Sequence, residues 1–218
     1  MHSVRLLGTP KTFRVGKIVC LGRNYSEHIR ELGNEVPDQP VIFIKPATSI
    51  IGDGEAVIIP AYSSDCHHEV ELAVLIGKWG KNIAEAEAME HVAGYGVAID
   101  LTLRDVQTEL KKKGLPWEIA KGFDTACPLS DFVPAAEIAD PHALRLTLQV
   151  NGAMRQDAST ALMLRRIESI IQYVSAIFTL EEGDILLTGT PAGVGPVAAG
   201  DRMTAEIEAV GRLEVTVR

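Results

Sequence analysis

Glu69 and Glu71 lie one residue apart in the apolar stretch "CHHEVELAVLIG" (66–77). Side chains alternate faces along a strand, so these two carboxylates point the same way while Val70, Leu72 and Val74 point the other. Two like charges about 4 Å apart repel by roughly 4 kcal/mol at an effective dielectric near 20. A bound proton or a divalent cation would offset that cost. Asp100 ends a second apolar stretch, "GVAID". It is either a cap for the segment that follows or a third oxygen ligand. Three carboxylates make an all-oxygen set suited to Mg2+ or Mn2+, with positions left open for water or substrate.

Other residues have the types and spacing for acid–base work. His28 and Glu31, in "GRNYSEHIRELG", are three apart and share a face if the segment is helical. A carboxylate on one imidazole nitrogen leaves the other free to take a proton, which is the design of a general base. Gly22 and Gly33 flank this segment and would suit a mobile lid. Cations are sparse and sit in apolar surroundings. Lys45 follows "VIFI", as a snorkelling edge residue or as a buried cation. Arg104 and Gln107 share a helical face just after Asp100, and Lys121 lies in "EIAKGFDT". Together these groups could bind the carboxylate of a small keto acid beside a metal.

Two rival readings fail on spacing. Cys66, His67, His68 and Glu69 are contiguous, so on a strand they cannot all reach one zinc ion; His67 and His68 are expected in structural or supporting roles. "TGTPAGVG" (188–195) lacks the ending of a P-loop and the spacing of a dinucleotide fingerprint. It is a tight turn or, functionally, a loop whose Thr190 hydroxyl and backbone N–H groups grip an anion.

The elements that must position these groups are mostly short strands. "GKIVCLG", "PVIFIKP", "AVIIP", "EVELAVLIG", "YGVAIDLT", "LRLTLQVNG", "DILL", "RMTAEIEAVG" and "LEVTVR" have strand character, and Asn151-Gly152 signals a hairpin. Helices are predicted at 24–33, with Asn24 as its cap, at 83–92, from about Arg104 to Lys112, and at 166–180, where Ile167, Ile170, Ile171, Val174, Ile177 and Phe178 form one stripe. Regular βα alternation is missing, which excludes a doubly wound sheet. The pattern gives a β-rich α+β fold with a curled or sandwiched mixed sheet.

Composition fits this picture. The chain has 218 residues, 46% apolar, enough for the core of one domain. Its net charge of −8 argues against nucleic acid as a partner. Three dispersed cysteines fit a reducing cytosol, and no signal peptide or membrane-length apolar run is visible, so a cytoplasmic chain is expected.

Taken in order, "GRNYSEHIRE", "FIKP", "HHEVELAVLIG", "GYGVAIDLTLRDVQ", "AKGFDT" and "LLTGTPAGVG" resemble the fumarylacetoacetate hydrolase family, in its short single-domain branch of acylpyruvate hydrolases and oxaloacetate decarboxylases. The resemblance implies a mixed β-sandwich roll over residues 1–218, with 1–15 as a short N-terminal segment, and a homodimer. It implies one Mg2+ or Mn2+ on Glu69, Glu71 and Asp100, a water-activating pair in His28 and Glu31, and Lys121 as the catalytic lysine. Arg23, Lys45, Arg104, Gln107 and Thr190 are implied as substrate contacts. The expected activity is hydrolysis of a 3-acylpyruvate, such as fumarylpyruvate or acetylpyruvate, to pyruvate and a carboxylic acid. Alternatives are oxaloacetate decarboxylation, isomerisation or decarboxylation of 2-hydroxyhepta-2,4-diene-1,7-dioate, and a non-catalytic metabolite-binding dimer.

Overall fold

The computed structural model describes residues 2–31, 33 and 38–218. It is a strand-rich α+β fold built on two principal sheets. The first has six strands in the order Val133–Pro134, Val92–Ile99, Val70–Ile76, Ile185–Leu187, Lys17–Gly22, Val41–Pro46. Its pairings are antiparallel except between Ile185–Leu187 and Lys17–Gly22. The second has five strands in the order Ala153–Ser159, Arg145–Val150, Arg202–Ile207, Gly211–Val217, Ala56–Val57. Four helices among the described residues matter below: α1 Ser26–Glu31, α2 Arg104–Lys113, α3 Glu118–Lys121 and α4 Ile167–Ile177.

The six-stranded sheet is covered on both faces, which explains why Val70–Ile76 is buried at every position. Val70, Leu72, Val74 and Ile76 face a large cluster shared with Leu146, Leu148, Ala205 and Leu213 of the second sheet and with the Ile167–Val174 stripe of α4. Ala73 and Leu75 face a second cluster, closed by Val4 and Phe13 of an N-terminal hairpin, Ser3–Arg5 with Thr12–Arg14. Each fully buried aliphatic side chain here contributes about 1.5–3 kcal/mol. The second sheet keeps the alternation of a one-sided strand, and its hairpin turns at Asn151 (φ 52°) and Gly152 (φ 78°). Two successive positive φ values are what a two-residue type I′ turn requires.

Several elements differ from the sequence reading. Residues 83–92 form a 3-10 helix, Glu85–His91, whose buried Ala88 and His91 are three apart and eclipse on one face. "AVIIP" contributes only Ala56–Val57 before Pro60. Asn24 does not cap α1. Its side chain is buried and bonds the backbone of Arg165 and the carbonyl of Thr188, tying two loops together. The expected helix at 24–33 is seen as Ser26–Glu31; Leu32 lies outside the described residues. The three cysteines are free and buried. Among the described residues no helix is long and apolar enough to cross a membrane.

Candidate active site

Two neighbouring strands bring the carboxylates together. Glu71 pairs in register with Ala98, so it shares a face with Ala98 and with Asp100 two residues on. The Asp100 N–H donates to the Glu69 carbonyl (2.8 Å), extending the ladder one step beyond both strands. The result is that Glu69, Glu71 and Asp100 each offer an oxygen within 4.8 Å of the others, and all three are buried. Three desolvated carboxylates in that space need positive charge.

The structure supplies it from two sides. Lys121, at the end of α3, donates to Glu69 Oε2 (2.8 Å) and Asp100 Oδ2 (2.7 Å). Arg104, at the start of α2, pairs with the other Glu69 oxygen and donates to Gln107 Oε1 (2.9 Å). Burial alone would raise Glu69, but Lys121 and then Arg104 outweigh it and hold the carboxyl well below its usual range. Glu71 behaves oppositely: burial, then Asp100 and Glu69, push it well above the usual value. Burial would lower Lys121, yet Asp100 and Glu69 more than compensate and raise it.

Lys45 is the expected substrate contact that lies elsewhere. It is fully buried behind Asp100, and its three N–H groups go to the carbonyls of Leu101 (3.1 Å), Ala126 (3.0 Å) and Lys121. Its Nζ is 2.8 Å from Asp100 Oδ1, yet that oxygen receives no hydrogen bond, because the ammonium protons are already committed. The contact is therefore purely electrostatic, and a buried carboxylate lone pair is left over.

A hard divalent cation suits this donor set. Three carboxylates offering oxygens within 4.8 Å of one another, one of them with an orphaned buried oxygen, form an all-oxygen set of the kind that hard dications take. Glu69, Glu71 and Asp100 line one cleft together with Arg23, His28, Arg104, Gln107, Lys121 and Thr190. His28 is buried and its Nδ1 lies 3.2 Å from Glu31 Oε2. The Gly193 N–H donates to the other Glu31 oxygen (3.0 Å) and so holds the carboxylate in place. With Nδ1–H given to Glu31, the His28 Nε2 carries the lone pair.

Thr190 lines the cleft, but its hydroxyl is engaged by the fold. It donates to the Val70 carbonyl (2.8 Å) and accepts from Gln156 Nε2 (2.8 Å). The loop's backbone does hold carboxylates, though they are the protein's own: Gly189 N–H reaches Glu71 Oε2 at 2.7 Å and Gly193 N–H reaches Glu31. His67 pairs with Asp65 and His68 with Gln156, outside the cleft lining.

Four residues went unread in the sequence. Gln156 is fully buried and spends its whole amide on His68, Val70, Thr190 and Pro191, so it clamps the 188–193 loop to the acid-bearing strand. Trp117 and Phe43 form an apolar wall, their rings 6.0 Å apart. Lys111 also lines the cleft, its pKa pushed down to about 8 by burial and by Arg104, Arg23 and Lys121. The helical phase of Arg104, Gln107 and Lys111 was the available signal for the last.

Comparison with known proteins points one way. Residues 17–218 match the family model described as fumarylacetoacetate (FAA) hydrolase C-terminal. Mitochondrial oxaloacetate tautomerase FAHD1 of Mus musculus is 53% identical over 201 residues, 92% of this chain and 91% of that protein. Oxaloacetate tautomerase YcgM of Escherichia coli is 52% identical over 193 residues, 88% of each. The crystal structure of fumarylpyruvate hydrolase from Pseudomonas aeruginosa, in complex with Mn2+ and pyruvate, superposes with a TM-score of 0.95 at 37% identity, covering 99% of this chain and 95% of that one.

Proposed function

The chain belongs to the fumarylacetoacetate hydrolase family of enzymes acting on keto acids, and from that premise we propose that it interconverts the keto and enol forms of a 2-oxo acid of the oxaloacetate type. The observation that carries this reading is the placement of Lys121 between Glu69 and Asp100 in a cleft also lined by the Glu31-held His28. A divalent cation held by Glu69, Glu71 and Asp100 would, when bound, supply Lewis acidity toward the carboxylate and 2-oxo oxygens of the substrate. His28 Nε2 takes a proton from C3, and the C–H electron pair becomes the C2=C3 double bond. The charge that develops on the 2-oxo oxygen is met by the Lys121 ammonium and the Gln107 amide, whose carbonyl end is fixed by Arg104. A proton delivered to that oxygen gives the enol; the reverse path returns the ketone. Phe43 and Trp117 keep water from the wall of the cleft.

A second reading is supported by the orientation of His28 and by the likeness to fumarylpyruvate hydrolase. Here His28 takes a proton from water. The water oxygen bonds to the distal acyl carbonyl of an acylpyruvate, the C–C bond breaks, and the leaving pyruvate enolate is protonated. One assay pair separates the readings: decay of the enol absorbance of oxaloacetate, and pyruvate release from fumarylpyruvate, each with Mg2+, Mn2+ or chelator. Chelator-sensitive enol decay without matching pyruvate release supports the first. Fast pyruvate release with unchanged enol decay supports the second, and inactivity in both overturns the keto-acid assignment.

A further inference from the structure

One cation of the cleft, Lys111, has no acidic partner among the described residues. Arg104 is paired with Glu69, and Lys121 with Glu69 and Asp100. In the run Lys111–Lys113, Lys112 turns to solvent and pairs with Glu109 (2.8 Å), and Lys113 is exposed. Lys111 instead turns inward. It is half-buried, lines the cleft, and places Nζ 5.2 Å from the centre of the Trp117 ring. Among the described residues no carboxylate lies within ion-pair distance of it. Burial first, and then like charge from Arg104, Arg23 and Lys121, lower its pKa to about 8 against a weaker opposing pull from Glu69. A lysine with solvent available on the neighbouring positions gains nothing from that crowd unless an anion joins it.

Helix geometry says where that anion sits. Arg104, Gln107 and Lys111 are at i, i+3 and i+7 on one face of α2. Lys111 is therefore about 10 Å along the axis from Arg104, which marks the carboxylate cluster, and its side chain leans back toward Gln107. An extended 2-oxo acid with its head at Glu69, Glu71 and Asp100 and its length along this face of α2 would bring its other end toward Lys111 and Trp117, which line the same cleft.

We propose that Lys111 recognises a second carboxylate at the far end of the substrate, so that the site selects keto acids anionic at both ends. The proposal rests on the keto-acid reading above and deepens it to a substrate class. Lys111 is a specificity residue; the reacting atoms belong to the other end of the cleft.

The test uses the metal-loaded full chain, wild type, Lys111→Met and Lys111→Arg. Turnover of oxaloacetate and fumarylpyruvate is compared with that of acetylpyruvate, which has one carboxylate. Calorimetric binding is measured for 2-oxoglutarate and for 2-oxopentanoate, its equal-length analogue without the distal carboxylate. In Lys111→Met, kcat/KM for the dianions falls about 10- to 100-fold through KM, and 2-oxoglutarate binds at least about tenfold more weakly. Acetylpyruvate and 2-oxopentanoate change less than about threefold, and Lys111→Arg restores most of the loss. Equal losses for one-carboxylate and two-carboxylate ligands, or no loss for either, overturn the proposal. Wild-type inactivity on every keto acid is a failure of the function reading alone, because the calorimetric pair still decides the subsite.

Discussion

Asp100 has a lysine on each side, and the two regions they belong to differ in kind. Behind it, Lys45 is sealed in the core with every N–H on a backbone carbonyl. In front, Lys121 lines the cleft and spends its hydrogen bonds on the carboxylates of Glu69 and Asp100. Both are buried and both lie within 2.8 Å of Asp100. Burial and charge therefore do not separate a cation sealed in the core from one presented to the cleft. What separates them is the partner: backbone carbonyls cannot be exchanged for substrate, whereas carboxylates can be shared with an incoming cation or oxyanion.

Substitutions can break this contrast. The largest effect is expected from Lys121→Met, which should lower kcat by about 10²- to 10⁴-fold, since in the proposed reaction it removes the group that meets the developing negative charge. Its fold should survive, because Glu69 keeps Arg104 and Asp100 keeps Lys45. Lys45→Met should do the reverse. Three carbonyls and a buried carboxylate lose their cation, so denaturant unfolding should show a loss of about 3–5 kcal/mol. Equal stability losses in the two variants would erase the distinction.

Further from the acids, His28→Ala should slow turnover by about 10²- to 10⁴-fold while leaving the unfolding midpoint close to wild type. Gln156 is not itself in the cleft lining and reaches it only through Thr190. Gln156→Leu should cost about 1–3 kcal/mol of stability by orphaning the His68, Val70 and Thr190 groups that the amide serves, with activity reduced less than in His28→Ala.

The smallest effect concerns pH. Glu71 has a raised pKa in the cation-free fold, so its contribution to stability is complete below its unfolded value and is lost as pH rises through the raised one. The Tm difference between wild type and Glu71→Gln should thus move against wild type as pH increases without cation. Saturating Mg2+ should reverse that trend, since the bound form needs Glu71 ionised. A pH-independent Tm difference would mean that Glu71 is not the protonated member of the cluster.

The chemistry was more legible than its supports. The acids, the His28–Glu31 spacing and the Arg104–Gln107 face are local patterns, readable once strand and helix periods are assigned. Gln156 was not, because "AMRQDAS" is polar at its centre and only long-range pairing shows that Gln156 turns inward. Lys45 left two readings open, and its burial depends on carbonyls from residues 56, 76 and 81 positions away. Asn24 carried a cap signature but serves contacts 141 and 164 residues distant, which no local rule contains. Lys111 was hidden in a basic run that looks like an ordinary solvated helix end.

The most direct trial is a crystal structure of the protein with Mn2+, read by anomalous scattering, beside the same experiment on the double variant Glu69→Gln, Glu71→Gln. The expected result is one peak about 2.1 Å from an oxygen of each of Glu69, Glu71 and Asp100, and no peak in the variant. A peak held by other residues, or one that persists in the variant, would contradict the carboxylate cluster as the metal centre.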